Sequence, residues 1–206
     1  MKRFGLASTT LLLLAALIAV PAGLRAEYPK PSPYPKSWEL DFEHSKPKRV
    51  VVQPGNATAP QAYWYITYTI TNDTDQEQLF LPAFELLTQD GRVFRNDKNI
   101  PAVVFDTIKQ REGARFLQPA ALIGGELRIG PDQGKDGVAI WPEPSAEMGQ
   151  FSIFVTGLSG ETATVKMGEK DVILRKTLQL NYVVRGDEVY PGQDEVNENP
   201  MEWVMR

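Results

Sequence analysis

Few residues in this chain of 206 could perform chemistry, because it contains one histidine and no cysteine. The lack of cysteine excludes thiol catalysis, iron–sulfur clusters and cysteine zinc sites, and a single histidine excludes any metal motif with two imidazoles. In the alternating stretch SWELDFEH, Asp41 and Glu43 fall on the strand face opposite His44, so neither can orient the imidazole as a base. The stretch GLSGE (157–161) lacks the second glycine of a nucleophile elbow. We therefore predict that the protein is not an enzyme and needs no cofactor.

One oxygen-rich turn could bind a metal ion. The stretch NDTDQE offers Asn72, Asp73, Asp75 and Glu77 within six residues, and calcium prefers oxygen ligands of this kind. The stretch lacks the glycine and the later bidentate glutamate of the helical calcium loop. Asn and Asp are also common in turns between strands for conformational reasons, so we favour a conformational role and keep calcium as the alternative.

Aromatic side chains are the remaining candidates for binding. In AYWYITYTIT (62–71) the alternation places Trp64 and Tyr68 on one strand face and Tyr63 and Tyr65 on the other. Tyr63 and Tyr65 could stack a sugar ring or anchor a protein partner, as could Trp141, which precedes Pro142 at a strand end. We expect instead that the inserted helix or the N-terminal leader covers Tyr63 and Tyr65.

The elements that must position these residues are mostly strands. Alternating or β-branched runs separated by turn residues predict strands at 37–44, 48–53, 62–71, 78–95 with a break at Pro82 and a hairpin turn at Asp90-Gly91, 122–130, 137–142, 150–158, 162–167 and 171–186. The period changes once, near 100–112, where Val104 and Ile108 would line a helical face. We predict a mainly β fold: an antiparallel immunoglobulin-like sandwich of about seven to nine strands with one short inserted helix.

The N-terminal residues predict export. A basic start, an apolar run at 11–20 and small residues at Ala22 and Ala26 predict a signal peptide over residues 1–26, cleaved after either alanine, and the run is too short to span a bilayer. Four prolines predict an extended leader over 27–36, the sandwich follows at 37–186, and an acidic tail occupies 187–206. In that tail, Trp203 and Val204 suggest an end that docks back on the domain.

Three longer stretches resemble a known family. AYWYITYTITNDTDQEQLFLPAFELLTQDG (62–91), DGVAIWPEPSAEMGQFSIFVTGLSGE (136–161) and LRKTLQLNYVVRGDE (174–188) are similar to an uncharacterised family of exported proteins from planctomycete-type bacteria. The resemblance implies a secreted or envelope β-sandwich, and it brings no catalytic residues.

The charge limits the choice of partner. Cleavage after Ala26 removes three basic residues and no acidic one, so the net charge falls from −4 to −7. An acidic chain does not neutralise phosphates, so we predict no nucleic-acid partner. No other segment approaches the length of a membrane span, so we predict no transmembrane segment after cleavage. The expected function is that of an exported, non-catalytic binding or structural module, located in the periplasm, on the cell surface or outside the cell. We expect it to act through a protein or another envelope component, with a carbohydrate- or calcium-binding accessory module as the alternative.

Overall fold

A computed structural model describes residues 28–55, 57–96, 100–144, 148–184 and 196–206. The predicted signal peptide and residues 187–195 of the predicted tail lie outside the described residues. Within the described ranges, no helix has the length and apolar character needed to cross a membrane.

The prediction of a mainly β fold is confirmed. The described residues form thirteen strands, β1 (Asp41–His44), β2 (Lys48–Val52), β3 (Gln61–Thr71), β4 (Gln78–Phe80), β5 (Ala83–Thr88), β6 (Val93–Arg95), β7 (Gln118–Pro119), β8 (Gly125–Leu127), β9 (Lys135–Pro142), β10 (Gln150–Thr156), β11 (Thr162–Met167), β12 (Lys170–Val184) and β13 (Val196–Met205). They also form the helices α1 (Ala102–Glu112) and α2 (Ala120–Ile123) and a 3₁₀ turn at Pro131–Gln133.

The structure differs from the predicted antiparallel sandwich of about seven to nine strands with one short helix. The described residues form thirteen strands, a second helix and one parallel strand pair. The four residues of α2 are too few to show a helical period, so this segment was assigned partly to a strand. Strand β7 has two residues and pairs with β9 in parallel, which the sequence pattern does not distinguish from antiparallel pairing.

Two larger sheets face one another. The first has the strand order β1-β3-β9-β7, with β2 also paired to β3. The second has the order β11-β12-β10-β5-β6, with β13 also paired to β12, and β4 and β8 form a separate two-stranded sheet. Alternate side chains of the larger sheets fill one buried core, mainly Trp64, Ile66, Tyr68, Ile70, Phe84, Leu86, Trp141, Phe151, Ile153, Val155, Leu178, Leu180 and Tyr182.

A second, smaller core lies on the outer face of the first sheet. Helix α1 starts after Pro101 and ends at Gly113, whose φ of 62° is the left-handed conformation that glycine adopts easily. Its buried Val104 and Ile108 pack in one cluster with residues of β2, β3 and β9. The fold therefore has three layers, in which α1 covers part of the first sheet.

A buried lysine joins the two ends of the described chain. The Lys176 ammonium contacts the Glu39 carboxylate, lies 3.4 Å from Glu161 Oε2 and sits 4.9 Å from the Trp203 ring centroid. The backbone N–H of Ser32 donates to Glu161 at 2.9 Å, which fixes the leader to the same cluster. We call Lys176, Glu39 and Glu161 the ion cluster.

The end of the chain is a regular strand. Strand β13 pairs with β12 from Val184↔Val196 to Lys176↔Met205, and the Tyr28 hydroxyl donates to Met205 O at 2.9 Å. The leader and the C-terminal strand therefore both lie against the domain.

Candidate functional site

The aromatic side chains suggested by the sequence are covered. Tyr63 and Tyr65 are 3% and 0% exposed beneath α1, and Trp141 is 0% exposed in the core between the sheets. The Tyr65 hydroxyl donates to Glu112 Oε1 at 2.7 Å, and burial together with this hydrogen bond raises the pKa of Tyr65. The described residues therefore contain no surface platform made from these three rings.

The oxygen-rich turn is organised around a buried asparagine. Asn72 donates to Gln76 O at 2.8 Å and to Leu127 O at 2.9 Å, and its Oδ1 accepts from the Thr74 N–H and hydroxyl. These bonds use the Asn72 amide to shape the turn, as Asx turns do.

The three acidic residues of that turn, Asp73, Asp75 and Glu77, are exposed. Interaction with the Glu126 carboxylate raises the pKa of Glu77. In the part of the chain that the structure describes, no three acidic or histidine side chains are grouped as a metal site.

His44 and Ser45 are neighbours in the chain but do not form a nucleophile–base pair. The His44 ring stacks on Phe42, and its Nδ1 lies 3.1 Å from Ser45 O and 3.4 Å from the Tyr182 hydroxyl. The Ser45 hydroxyl donates to Lys46 O at 3.0 Å and accepts from the Thr67 N–H at 3.1 Å. The imidazole therefore has no contact through which it could activate this serine.

The outer face of β3 changes from tyrosine to threonine where the cover of α1 ends. Tyr63 and Tyr65 lie under the helix, whereas Thr67 and Thr69, further along the same face, are half-buried. The register places Glu43 of β1 and Asp136 of β9 on either side of Thr69. A hydroxyl row flanked by two carboxylates thus replaces the apolar surface.

This change of surface forms a cavity of about 350 Å³, which we call the threonine groove. Thr67, Thr69 and Asp136 lie along β3 and β9, Glu43 and Ser45 line it from β1 and the residue after it, and Glu112, Ala114 and Leu117 line it from the end of α1 and the segment that follows.

One carboxylate of the groove is neutralised internally. Glu112 accepts from Lys48 Nζ at 2.7 Å through Oε2 and from the Tyr65 hydroxyl at 2.7 Å through Oε1. Burial by itself raises the pKa of Glu112, but the hydrogen bonds from Lys48 and Tyr65 outweigh it and hold the pKa below its ordinary value. Glu112 therefore anchors the end of α1 to β2 and β3.

The other two carboxylates of the groove have no counter-charge among the described residues. Asp136 Oδ1 accepts one hydrogen bond from the Thr69 hydroxyl at 2.9 Å, and Glu43 is exposed, with no side-chain hydrogen bond or ion pair. Neighbouring strands are about 4.8 Å apart, so the backbones of Glu43 and Asp136 lie about 10 Å from one another across β3. This spacing leaves room for a cationic group between the two carboxylates.

The sequence pattern did not identify this groove. The change from Tyr to Thr along one face of β3 is visible in the sequence, but its partners Glu43 and Asp136 are brought together only by non-local strand register. Charged residues on a predicted edge strand are also common without any function, so Glu43 carried no signal of its own.

Comparison with known proteins gives no relative to guide the assignment. No protein-family model, no curated protein and no solved structure matches this chain.

Proposed function

We propose that the protein is an exported, non-catalytic binding module of the cell envelope, which holds a basic segment of a protein partner in the threonine groove. The observation that carries this proposal is the pair of carboxylates, Glu43 and Asp136, that flank Thr69 and have no ion pair with a described cation. The export signal in residues 1–26 supports the envelope location. We also propose that the fold is an immunoglobulin-like sandwich, which two mostly antiparallel sheets facing one core support.

The groove favours a guanidinium or ammonium group over other ligands. A guanidinium presents five donors in a plane, enough to reach carboxylates on both sides and a threonine hydroxyl between them. An anion would be repelled by Glu43 and Asp136, and an apolar group would bury these carboxylates unpaired. The groove is also open, so a side chain projecting from a folded partner can enter it.

The hydrogen-bond partners of Ser45 and His44 support a binding function rather than a catalytic one. The hydroxyl of Ser45 is occupied by backbone partners, and His44 contacts a carbonyl and a tyrosine hydroxyl. A hydrolytic site needs a nucleophile, a base and an orienting group in mutual reach, and these contacts do not provide it.

The test uses photo-crosslinking in intact cells of the source organism. A photo-reactive side chain replaces Ala114, at the wall of the groove, and captured proteins are identified by mass spectrometry. We expect one dominant envelope protein, crosslinked through a peptide that contains Lys or Arg. The double variant Glu43→Gln/Asp136→Asn should reduce capture at least tenfold, because each hydrogen bond to a charged group contributes about 1.5–3 kcal/mol.

The matched control is Glu169→Gln/Asp171→Asn, which makes the same charge change at exposed positions of the β11–β12 hairpin. This control should leave capture unchanged. Equal loss in both double variants would mean that overall charge, and not the groove, determines binding, and the proposal would then be rejected.

A further inference from the structure

The outer face of the second sheet carries a separate groove. Opposite Leu180, strand β13 has two residues, Pro200 and Met201, because the register shifts between Gln179↔Glu202 and Asn181↔Asn199. A bulge of this kind bends the strand and opens the surface beside it. The result is a cavity of about 490 Å³ beside Pro200, which we call the amide groove.

The described side chains that line the amide groove are uncharged. Four of them are amides and two are aliphatic hydroxyls, and the described residues of the lining are Leu87, Thr88, Gln89, Gln150, Phe151, Ser152, Asn181, Tyr182, Asn199 and Pro200. Phe151 and Tyr182 belong to the core, so the polar surface comes from the amides and from Ser152. This neutral surface contrasts with the threonine groove, which has carboxylates without counter-charges.

One amide of the groove is fixed in place by its neighbours. Asn181 Oδ1 accepts from the Ser152 hydroxyl at 2.7 Å and from Gln179 Nε2 at 2.8 Å, while Asn181 Nδ2 donates to Pro200 O at 3.1 Å. These bonds link β10, β12 and the bulge of β13. They hold the centre of the groove rigid before any ligand arrives, which lowers the entropy cost of binding.

The amides around this centre are free to bind a ligand. The side chains of Gln89, Gln150 and Asn199 are exposed and make no hydrogen bond to the described residues. Each primary amide places a donor and an acceptor side by side. A pair of adjacent hydroxyls on a sugar ring also offers a donor and an acceptor, so one amide can bind both.

We propose that the amide groove is a binding site for a neutral carbohydrate. A charged ligand would lose hydration without finding a counter-charge among the described lining residues, and an apolar ligand would leave the amides unsatisfied. A peptide that binds by strand addition pairs with a sheet edge, whereas this groove lies on the face of the sheet, across β5, β10, β12 and β13. The exposed Pro200 ring and the half-buried Leu87 offer apolar surface for the C–H face of a sugar.

The experiment measures retention of the purified exported chain on four insoluble neutral polysaccharides: cellulose, chitin, mannan and starch. We expect retention on at least one of them. The double variant Gln150→Ala/Asn199→Ala should lower the bound fraction at least fivefold, since it removes two exposed amides that the fold does not use. The matched control, Gln53→Ala/Gln133→Ala, changes two exposed amides elsewhere and should bind like the wild type.

Three outcomes would overturn the proposal. They are failure to bind any of the four polysaccharides, equal retention by the Gln150→Ala/Asn199→Ala variant, and equal loss in the control. Capture of an uncharged hexapeptide library without polysaccharide binding, abolished by the same double variant, would assign the groove to peptides instead. The substitutions lie on the sheet opposite the threonine groove, so failure here leaves the test of Glu43 and Asp136 unaffected.

Discussion

Substitution of Lys176 by methionine should destabilise the protein strongly. The Lys176 side chain is 3% exposed, and it is the only cation within ion-pair distance of Glu39 and Glu161 among the described residues. Glu161 Oε2 is buried and accepts no hydrogen bond, so the ammonium at 3.4 Å provides its compensation. Methionine has a similar length but no charge, and it would leave the two carboxylates facing one another unpaired.

The expected loss of stability follows from how deeply the partners of Lys176, Glu39 and Glu161, are buried. Removing one partner of a buried ion pair costs about 3–5 kcal/mol. The Glu39 side chain is 23% exposed and the Glu161 side chain 9%, so partial hydration of Glu39 places the expected loss near the lower end, at about 3 kcal/mol. For a chain of this size that loss lowers Tm by roughly 6–12 °C.

The assay is urea unfolding followed by tryptophan fluorescence, with the midpoint shifting and the slope unchanged. The triple variant Glu39→Gln/Lys176→Met/Glu161→Gln should recover most of the stability lost in Lys176→Met, because it leaves no buried charge in the ion cluster. Lys166→Met on the exposed strand β11 serves as the control and should cost less than about 0.5 kcal/mol. A loss below about 1 kcal/mol in Lys176→Met, or a triple variant as unstable as the single one, would refute the role of the ion cluster.

Two further predictions concern packing and pH. A Cβ at Gly137 would collide with the buried Tyr68 ring, so Gly137→Ala should cost about 1–3 kcal/mol in thermal unfolding, whereas Gly55→Ala, in open space, should cost little. The pKa of Glu112 is lowered in the fold, so its stabilising contribution is present above its ordinary pKa of 4.5 and is lost as pH falls through the folded value. Glu112→Gln should flatten the acid-side slope of stability, and an unchanged slope would contradict the role of its hydrogen bonds.

Local alternation predicted most of the longer strands and their core faces, whereas β13 lies within the predicted acidic tail. The period of two in β3 correctly assigned Trp64 and Tyr68 to the core between the sheets, because one face of that strand is buried by the second sheet. The change to a helical period located α1, whose described limits are Ala102–Glu112. These features depend on a few consecutive residues, which the sequence displays directly.

The sequence pattern does not predict which residues from distant parts of the chain lie next to one another. Lys176 interrupts the apolar face of β12, and it is buried against Glu39 from the segment before β1 and Glu161 from the segment after β10. The threonine groove likewise depends on the register of β1 and β9 against β3. Periodicity identifies which face a residue occupies, but it does not identify the residue opposite.

Crosslinking at the threonine groove in intact cells tests the proposed function most directly. The account predicts that a photo-reactive group at Ala114 captures one dominant envelope protein through a basic peptide. It also predicts that Glu43→Gln/Asp136→Asn reduces this capture at least tenfold, while Glu169→Gln/Asp171→Asn does not. Capture of the same protein at undiminished yield by the groove variant, or no dominant partner at all, would contradict it.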